Sequence, residues 1–211
     1  MAELVSLTVA DQPAAWSEIG FTVEDGVAVV DGVALRFAPD SGRGITSWNL
    51  TSLEVPAATS TIDGLATSSL AADAASADRA RAVHPNGVTS IDHVVVATLD
   101  HARTLAAFES AGLRLLRTRA SDTYGSPMVQ GFFRLGPVIL EVVGRVGPPE
   151  PLGDGPARWF GLAFNVADLD ATAAYLGPRL HPAKDAVQEG RRIATLDRSS
   201  GIGTRLAFMS R

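Results

Sequence analysis

Two side chains within apolar segments are the residues of this sequence best suited to chemistry. His93 opens the segment HVVVATLD, and Glu141 lies within PVILEVVG. A carboxylate among Val, Ile and Leu is costly to bury without a partner, so the presence of Glu141 needs a reason. An imidazole and a carboxylate can bind a divalent metal or transfer a proton. They can equally form a buried polar pair or contact a bound ligand, and the residues alone leave these alternatives open.

Further candidates are aromatic or cationic side chains in segments that we predict to be strands. Aromatic rings could stack on a flat ligand, but in strands they more often belong to the core, which we expect for most of them. Arg134 and Arg205 could hold an anionic substrate or lie in solvent. The aromatic candidates are Phe132, Phe133, Trp159, Phe160 and Phe164. From both groups we select as ligand-binding residues Phe133, Arg134, Trp159, Phe164 and Arg205. The contexts of the other histidines predict exposure for His84, His101 and His181.

Composition excludes several classes of protein. The formal net charge is −5, and the 18 basic residues are spread along the 211 positions without a cluster. Nucleic-acid binding needs such a cluster to neutralise phosphates, so we exclude it. No apolar run approaches the roughly 20 residues of a membrane span, and the first residues lack the features of a signal peptide. Because the chain has no cysteine, no disulfide can form, and we expect a cytoplasmic protein.

One strand-to-helix pattern occurs three times with the same spacing. In the segments 4–11, 93–100 and 161–168, an apolar run ends on an Asp seven positions after its first residue. A short Ala-rich stretch and a Gly follow each Asp. Asp is a favoured helix N-cap and Gly a common helix end, so the pattern predicts a strand and then a helix in each copy. The last two helices are predicted at 101–112 and 169–177.

Turn signals and composition divide the chain into repeated units and a linker. Residues 1–54 contain apolar strands separated by Asp25-Gly26 and Asp31-Gly32, which favour hairpins because Gly adopts positive φ at low cost. Residues 55–87 are rich in Ala, Ser, Thr and Asp and lack aromatic residues, so we predict a linker, part of which could be helical. The predicted domain 88–211 contains two β-α-β-β-β units, 88–146 and 157–211. Such a unit leaves a sheet face exposed and must pair with another.

These two units resemble the vicinal oxygen chelate superfamily, which comprises glyoxalase, bleomycin-resistance and dioxygenase proteins. IDHVVVATLDHARTLAAFESAGL is similar to the opening of that family, FFRLGPVILEVVG to its closing hairpin, and GLAFNVADLDATAAYLG to the opening of its second module. The resemblance implies an α+β fold whose βαβββ modules pair into a curved, partly open β-barrel around a small-molecule cleft. Residues 1–54 resemble a degenerate further copy of the module.

The resemblance also implies where a metal would bind. Family members with metal chemistry place one ligand on the first strand of a module and one on the last, which gives His93 and Glu141 here. The corresponding positions are Gly161 and Ala207 in the third unit, and Leu4 with Arg36 or Phe37 in the first. Two ligands fall short of the three protein ligands of a catalytic zinc site. We therefore predict that no cofactor binds, with His93 and Glu141 as the ligands if a metal does bind.

Three functions compete on these observations. The first is a metal-free protein that binds a hydrophobic or aromatic small molecule in a cleft around His93 and Glu141. The second is a lyase, isomerase or dioxygenase that uses Zn, Fe, Ni or Mn at these two residues. The third is an assembly module without chemistry. The missing ligands favour the first, and the retained pair weighs against the third. We also predict a homodimer, because residues 1–54 leave a sheet face uncovered.

Overall fold

The computed structural model describes residues 1–54, 60–71, 82–121, 127–145 and 155–211. Over these residues the chain forms two mixed β-sheets and three α-helices. The helices are α1 (Pro13–Glu18), α2 (His101–Ser110) and α3 (Leu169–Leu176). The strands of the first sheet are β1 (Leu4–Val9), β2 (Val27–Val30), β3 (Val33–Phe37), β4 (Ile45–Thr51), β5 (Thr61–Ile62) and β6 (Leu65–Leu70). The strands of the second sheet are β7 (Val88–Thr98), β8 (Leu115–Ser121), β9 (Met128–Leu135), β10 (Val138–Arg145), β11 (Arg158–Val166), β12 (Lys184–Asp185), β13 (Arg192–Thr195) and β14 (Arg205–Met209). None of these helices is long and apolar enough to cross a membrane.

The eight-stranded sheet contains one strand order twice. Its strands lie in the order β12-β13-β14-β11-β7-β10-β9-β8. In each copy the first strand lies beside the last, and the third and second strands follow toward the edge of the sheet. One helix, α2 or α3, connects the first strand of each copy to the second. The predicted α+β fold of paired β-α-β-β-β modules is therefore confirmed, and neither sheet closes into a barrel over the described residues.

The six-stranded sheet extends further along the sequence than residue 54. Its order is β2-β3-β1-β4-β6-β5, with β1 parallel to β3 and β4 parallel to β6. Strands β5 and β6 lie within 55–87, so the structure differs there from the predicted linker. Their connection is the turn Asp63-Gly64, in which both residues have positive φ (45° and 84°). The predicted hairpin of β2 and β3 has the same turn chemistry at Asp31-Gly32.

Two of the three repeated Asp residues cap helices as predicted. Asp100 precedes α2 and accepts a hydrogen bond from the backbone N–H of Arg103. Asp168 precedes α3 and accepts from the backbone N–H groups of Asp170 and Ala171. These bonds satisfy N–H groups of the first turn that have no partner within the helix, which fixes where each helix begins.

The Asp of the first copy has a different role, contrary to the prediction. The N-cap of α1 is Gln12, which makes no capping bond through its side chain. Asp11 is buried and accepts hydrogen bonds from the indole N–H of Trp16 and from the backbone N–H groups of Gly203 and Thr204. The carboxylate therefore ties α1 to a loop near the end of the chain instead of capping the helix.

The chain divides into two compact units, each with its own aromatic core. Unit 1 comprises Met1–Val5, Ser47–Ala77 and Val94–Phe160, and unit 2 comprises Ser6–Thr46, Asp78–His93 and Gly161–Arg211. In unit 1 the ring of Phe108 lies 6.0 Å from Trp48 and 5.4 Å from Phe133. In unit 2 the ring of Phe164 lies 5.1 Å from Phe21 and 6.1 Å from Phe208. These units cross the boundaries at 54 and 87 that the sequence suggested.

Two glycines let α2 lie directly on the strands of unit 1. A Cβ atom at Gly144 of β10 would lie 2.8 Å from Cβ of His101, and one at Gly131 of β9 would lie 2.5 Å from Cδ2 of Leu105. Because side chains alternate between the faces of a strand, the residues next to these glycines point away from α2. The face of β9 and β10 opposite α2 is therefore the one that carries Glu141.

Candidate functional site

His93 lies in the middle of β7 at a half-buried position. From Val94 to Thr98 buried and half-buried residues alternate, so His93 shares its face with Val95 and Ala97, as the sequence predicted. Before His93 the buried positions recur every third residue instead.

Asp92 fixes the orientation of the imidazole. Its Oδ2 lies 2.8 Å from Nδ1 of His93, with 15% of the Asp92 side chain and 17% of the His93 side chain exposed. An ionised carboxylate can only accept hydrogen bonds, so Nδ1 of His93 carries a proton in this pair.

Arg191 holds Asp92 from its other oxygen. Nη1 of Arg191 donates to Oδ1 of Asp92 at 2.9 Å, Nη2 to Oδ1 of Asn165 at 2.5 Å, and Nε to the carbonyl oxygen of Ser210 at 2.7 Å. Asn165 in turn donates to the hydroxyl of Ser90 at 2.9 Å. Every nitrogen of the guanidinium has an acceptor, so Arg191 is held in one position and Asp92 with it. We call Asp92, His93, Asn165 and Arg191 the His93 cluster.

The charges of the His93 cluster keep Asp92 ionised. Burial of Asp92 acts to raise its pKa, but the hydrogen bonds and charges of His93 and Arg191 together outweigh burial. The pKa of Asp92 therefore lies below its usual value, and the carboxylate is an anion at neutral pH.

Glu141 has the partner that its burial requires. It lies half-buried on β10, on the same face as Ile139 and Val143, and accepts a hydrogen bond from the side-chain amide of Gln130 on β9. The oxygen of the buried Gln130 amide accepts from Nε and Nη2 of Arg119 on β8, at 2.9 and 2.6 Å. Arg119 can only donate and Glu141 only accepts, so the orientation of the amide is fixed.

The two principal candidates belong to different units, His93 to unit 2 and Glu141 to unit 1. Their strands, β7 and β10, are neighbours in the eight-stranded sheet, as the resemblance implied. That both residues serve one cleft stays a prediction from the sequence.

The described residues do not provide a metal centre of the usual kind. Among them, no group of three or more His, Cys, Asp or Glu side chains is placed to hold a metal ion. Gly161 and Ala207, at the implied ligand positions of the third unit, lie on β11 and β14 and carry no ligand atom in their side chains. Asp92 already engages one nitrogen of His93. Within the part of the chain that the structure describes, the side chains at the implied positions therefore do not fit a site with three protein ligands.

Two of the predicted ligand-binding residues belong to the core. Phe133 and Phe164 have no exposed surface. The ring of Phe133 packs against Phe108 of α2, and that of Phe164 lies 6.3 Å from Trp16 of α1. Both rings therefore pack in the core, and a role in ligand binding stays a prediction for these two residues.

The remaining selected residues are accessible to different degrees. Trp159 is half-buried, with its ring 4.8 Å from that of Trp48 in unit 1. Arg134 on β9 and Arg205 on β14 are exposed. A role in ligand binding stays a prediction for all three residues.

His84 is buried, contrary to the prediction of exposure. Its side chain lies between two backbone groups: Nδ1 accepts from the N–H of Thr22 and Nε2 donates to the carbonyl of Val29, both at 3.1 Å. Because Nδ1 is an acceptor, the ring is neutral. Burial lowers the pKa of His84, and the hydrogen bond to Val29 opposes this shift only in part.

The other two histidines differ from each other. His101 is half-buried at the start of α2, where Nε2 lies 3.3 Å from the carbonyl oxygen of Val142, so the prediction of exposure is wrong there. Burial lowers the pKa of His101 as well. His181 is exposed as predicted, and its Nε2 lies 3.2 Å from a carboxylate oxygen of Asp197.

The residues that the sequence analysis missed are the partners of the candidates. A charged residue beside His93 in IDHVVV could have pointed to Asp92, and an amide within MVQGFF could have pointed to Gln130. Arg191 lies 99 positions beyond Asp92, so no local pattern indicates that the two meet.

The strand order defines a glyoxalase-like α+β fold. The chain is similar to methylmalonyl-CoA epimerase from Mycobacterium tuberculosis, with 19% identity and a TM-score of 0.48 over 59% of this chain and 89% of that one. It is also similar to a variant of Streptomyces coelicolor methylmalonyl-CoA epimerase in complex with 2-nitronate-propionyl-CoA, with 21% identity and a TM-score of 0.47 over 58% of this chain and 94% of that one. No family model and no curated protein matches the sequence. None of these similarities assigns an activity to this chain.

Proposed function

We propose that the chain binds a small organic molecule next to His93, on the half-buried face of β7. The His93 cluster is the observation that carries this proposal. Removing an ion pair from water costs free energy that its attraction often fails to return, so stability alone does not explain the pair of Arg191 and Asp92. A fixed imidazole favours binding, because less side-chain motion is lost when a ligand docks.

The cluster supports a particular role for His93. Since Nδ1 donates to Asp92, Nε2 accepts a hydrogen bond when the ring is neutral and donates one when it is protonated. We infer that His93 recognises a polar group of the ligand, such as a hydroxyl or a carbonyl.

We further propose that binding needs no metal ion. Support comes from the donor set: Gly161 and Ala207 offer no side-chain ligand, and His93 and Glu141 each have a protein partner. A lyase, isomerase or dioxygenase that depends on a divalent metal would have to fill most coordination positions with water or substrate.

A thermal-shift screen of small organic molecules tests the binding proposal. Compounds that stabilise the wild-type protein should lose their effect on His93→Ala and keep it on His181→Ala, which removes an exposed histidine from the same unit. Compounds that stabilise all three proteins equally would show that binding does not involve His93.

Elemental analysis of protein purified without chelator tests the metal proposal. We expect no stoichiometric metal. Near-stoichiometric Zn, Fe, Ni or Mn that is lost in His93→Ala but kept in His181→Ala would favour the metal-dependent enzyme instead.

A further inference from the structure

The strands β8 to β10 of unit 1 are basic, although the protein as a whole is acidic. They contain one glutamate and four arginines, a net charge of +3, whereas the whole chain carries −5. The four arginines are Arg117, Arg119, Arg134 and Arg145. Positive charge concentrated on a small surface raises the local concentration of anions.

The register of the strands brings part of this charge together. Arg117 of β8 lies opposite Phe132 of β9, and Arg119 lies opposite Gln130. Phe132 in turn lies opposite Glu141 of β10. Residues directly opposite each other in an antiparallel sheet share a face, and here it is the face away from α2. We call Arg117, Arg119, Gln130 and Phe132 the arginine face.

Both guanidinium groups stack on one ring. The Cζ atom of Arg117 lies 5.0 Å from the ring centroid of Phe132, and that of Arg119 lies 5.5 Å from it. Cation–π contacts of this kind hold the guanidinium groups in place. They also bring two positive charges to the same side chain, where the charges repel each other.

The stacking leaves hydrogen-bond donors unused. Nε and Nη2 of Arg119 donate hydrogen bonds to the side-chain oxygen of Gln130, so a neutral amide lies between Arg119 and Glu141. Among the described residues, Arg117 is exposed and donates no hydrogen bond to another side chain or to the backbone. A guanidinium has five N–H groups in a planar fork that matches the oxygens of a carboxylate or phosphate.

We propose that the arginine face binds the carboxylate or phosphate group of a small organic anion. Such a group accepts hydrogen bonds from Arg117 and Arg119 together and reduces the repulsion between them. Gln130 supports the site by fixing Arg119 through a neutral partner, so that the guanidinium keeps its charge for the ligand. The site lies in unit 1, and it does not depend on the proposed role of His93.

Isothermal titration with benzoate, phenyl phosphate and neutral benzamide tests this site. At least one of the two anions should bind in a saturable manner at the arginine face, and any binding of neutral benzamide should be the same in the wild type and in the Arg117 and Arg119 variants. The anion that binds identifies the group. Arg117→Met and Arg119→Met should each weaken binding about tenfold or more, because each removes a charge-assisted contact while keeping an apolar stem on Phe132.

Matched variants decide the outcome. Arg43→Met removes the same charge from an exposed residue of unit 2 and should leave anion binding unchanged. His93→Ala should also leave it unchanged, which separates this site from the one proposed on β7. Arg117 is exposed, so Arg117→Gln provides a second folded variant that should bind as weakly as Arg117→Met. The proposal would be overturned if neither anion bound in a saturable manner. It would also be overturned if the Arg117, Arg119 and Arg43 variants bound the anion with equal affinity.

Discussion

Replacing Asp92 by Ala tests whether the His93 cluster is built as described. The change leaves Nη1 of Arg191 and Nδ1 of His93 without their acceptor. Removing one partner of a fully buried ion pair costs about 3–5 kcal/mol, and a hydrogen bond to a charged group contributes about 1.5–3 kcal/mol. Because 20% of the Arg191 side chain and 15% of the Asp92 side chain are exposed, water can replace part of the lost interaction in the variant. We therefore expect the free energy of unfolding to fall by about 3 kcal/mol, near the lower bound for a buried pair.

Urea denaturation followed by circular dichroism measures this loss. The control is Asp170→Ala, which removes an ion pair of the same type from a solvent-exposed position: Arg192 and Asp170 are 44% and 73% exposed. Exposed pairs contribute little because water competes for both partners. If Asp92→Ala lowered the urea midpoint no more than Asp170→Ala does, Asp92 would not hold the His93 cluster together as described.

The structure also predicts effects outside the His93 cluster. Gly144→Val should destabilise the protein by about 1–3 kcal/mol, because the added side chain would overlap α2; an unchanged urea midpoint would contradict this packing. Burial lowers the pKa of His84, so the unfolded chain binds this proton more readily than the folded protein does. The stability that neutral His84 contributes is therefore present above about pH 6.5 and is lost as the pH falls toward and through the lowered folded-state pKa. His84→Gln should reduce the pH dependence of the unfolding free energy between pH 7 and 5, and an identical slope in wild type and variant would count against this. The protein should sediment as a homodimer, and a monomer at all concentrations would show that prediction to be wrong.

Elements with local chemical signals could be predicted from the sequence. The Asp residues at 100 and 168 mark the starts of α2 and α3 because their carboxylates satisfy the N–H groups of the first turn. Strands β5 and β6 were missed although Asp63-Gly64 carries the same turn signal as Asp31-Gly32. The Ala, Ser and Thr content of 55–87 suggested a linker, yet Ile62 and Leu65 beside that turn are buried. The average composition of residues 55–87 therefore did not indicate the short hairpin of β5 and β6 within them.

The candidate site could be predicted only in part. Local alternation along a strand shows which residues share a face, but it does not show which residues of other strands become their hydrogen-bond partners. Alternation along β7 and β10 correctly placed His93 on the face of Val95 and Ala97, and Glu141 on the face of Ile139 and Val143. The bond between Arg119 and Gln130 depends on a register that shifts between Leu115 and Arg117, which the sequence does not reveal.

In the third copy of the repeated segment, the residue at the implied metal-ligand position has a packing role of its own. At Gly161 of β11, a Cβ atom would overlap the backbone carbonyl oxygen of Arg205 on the parallel neighbour β14. Any side chain at this position requires the backbone to move, so the glycine serves close packing of the two strands. His93, at the same position of the second copy, instead takes part in a network of Asp92 and Arg191 that fixes its ring. The same supersecondary unit thus serves strand packing in one copy and an oriented imidazole in the other, and the difference lies in one residue at the start of each strand segment.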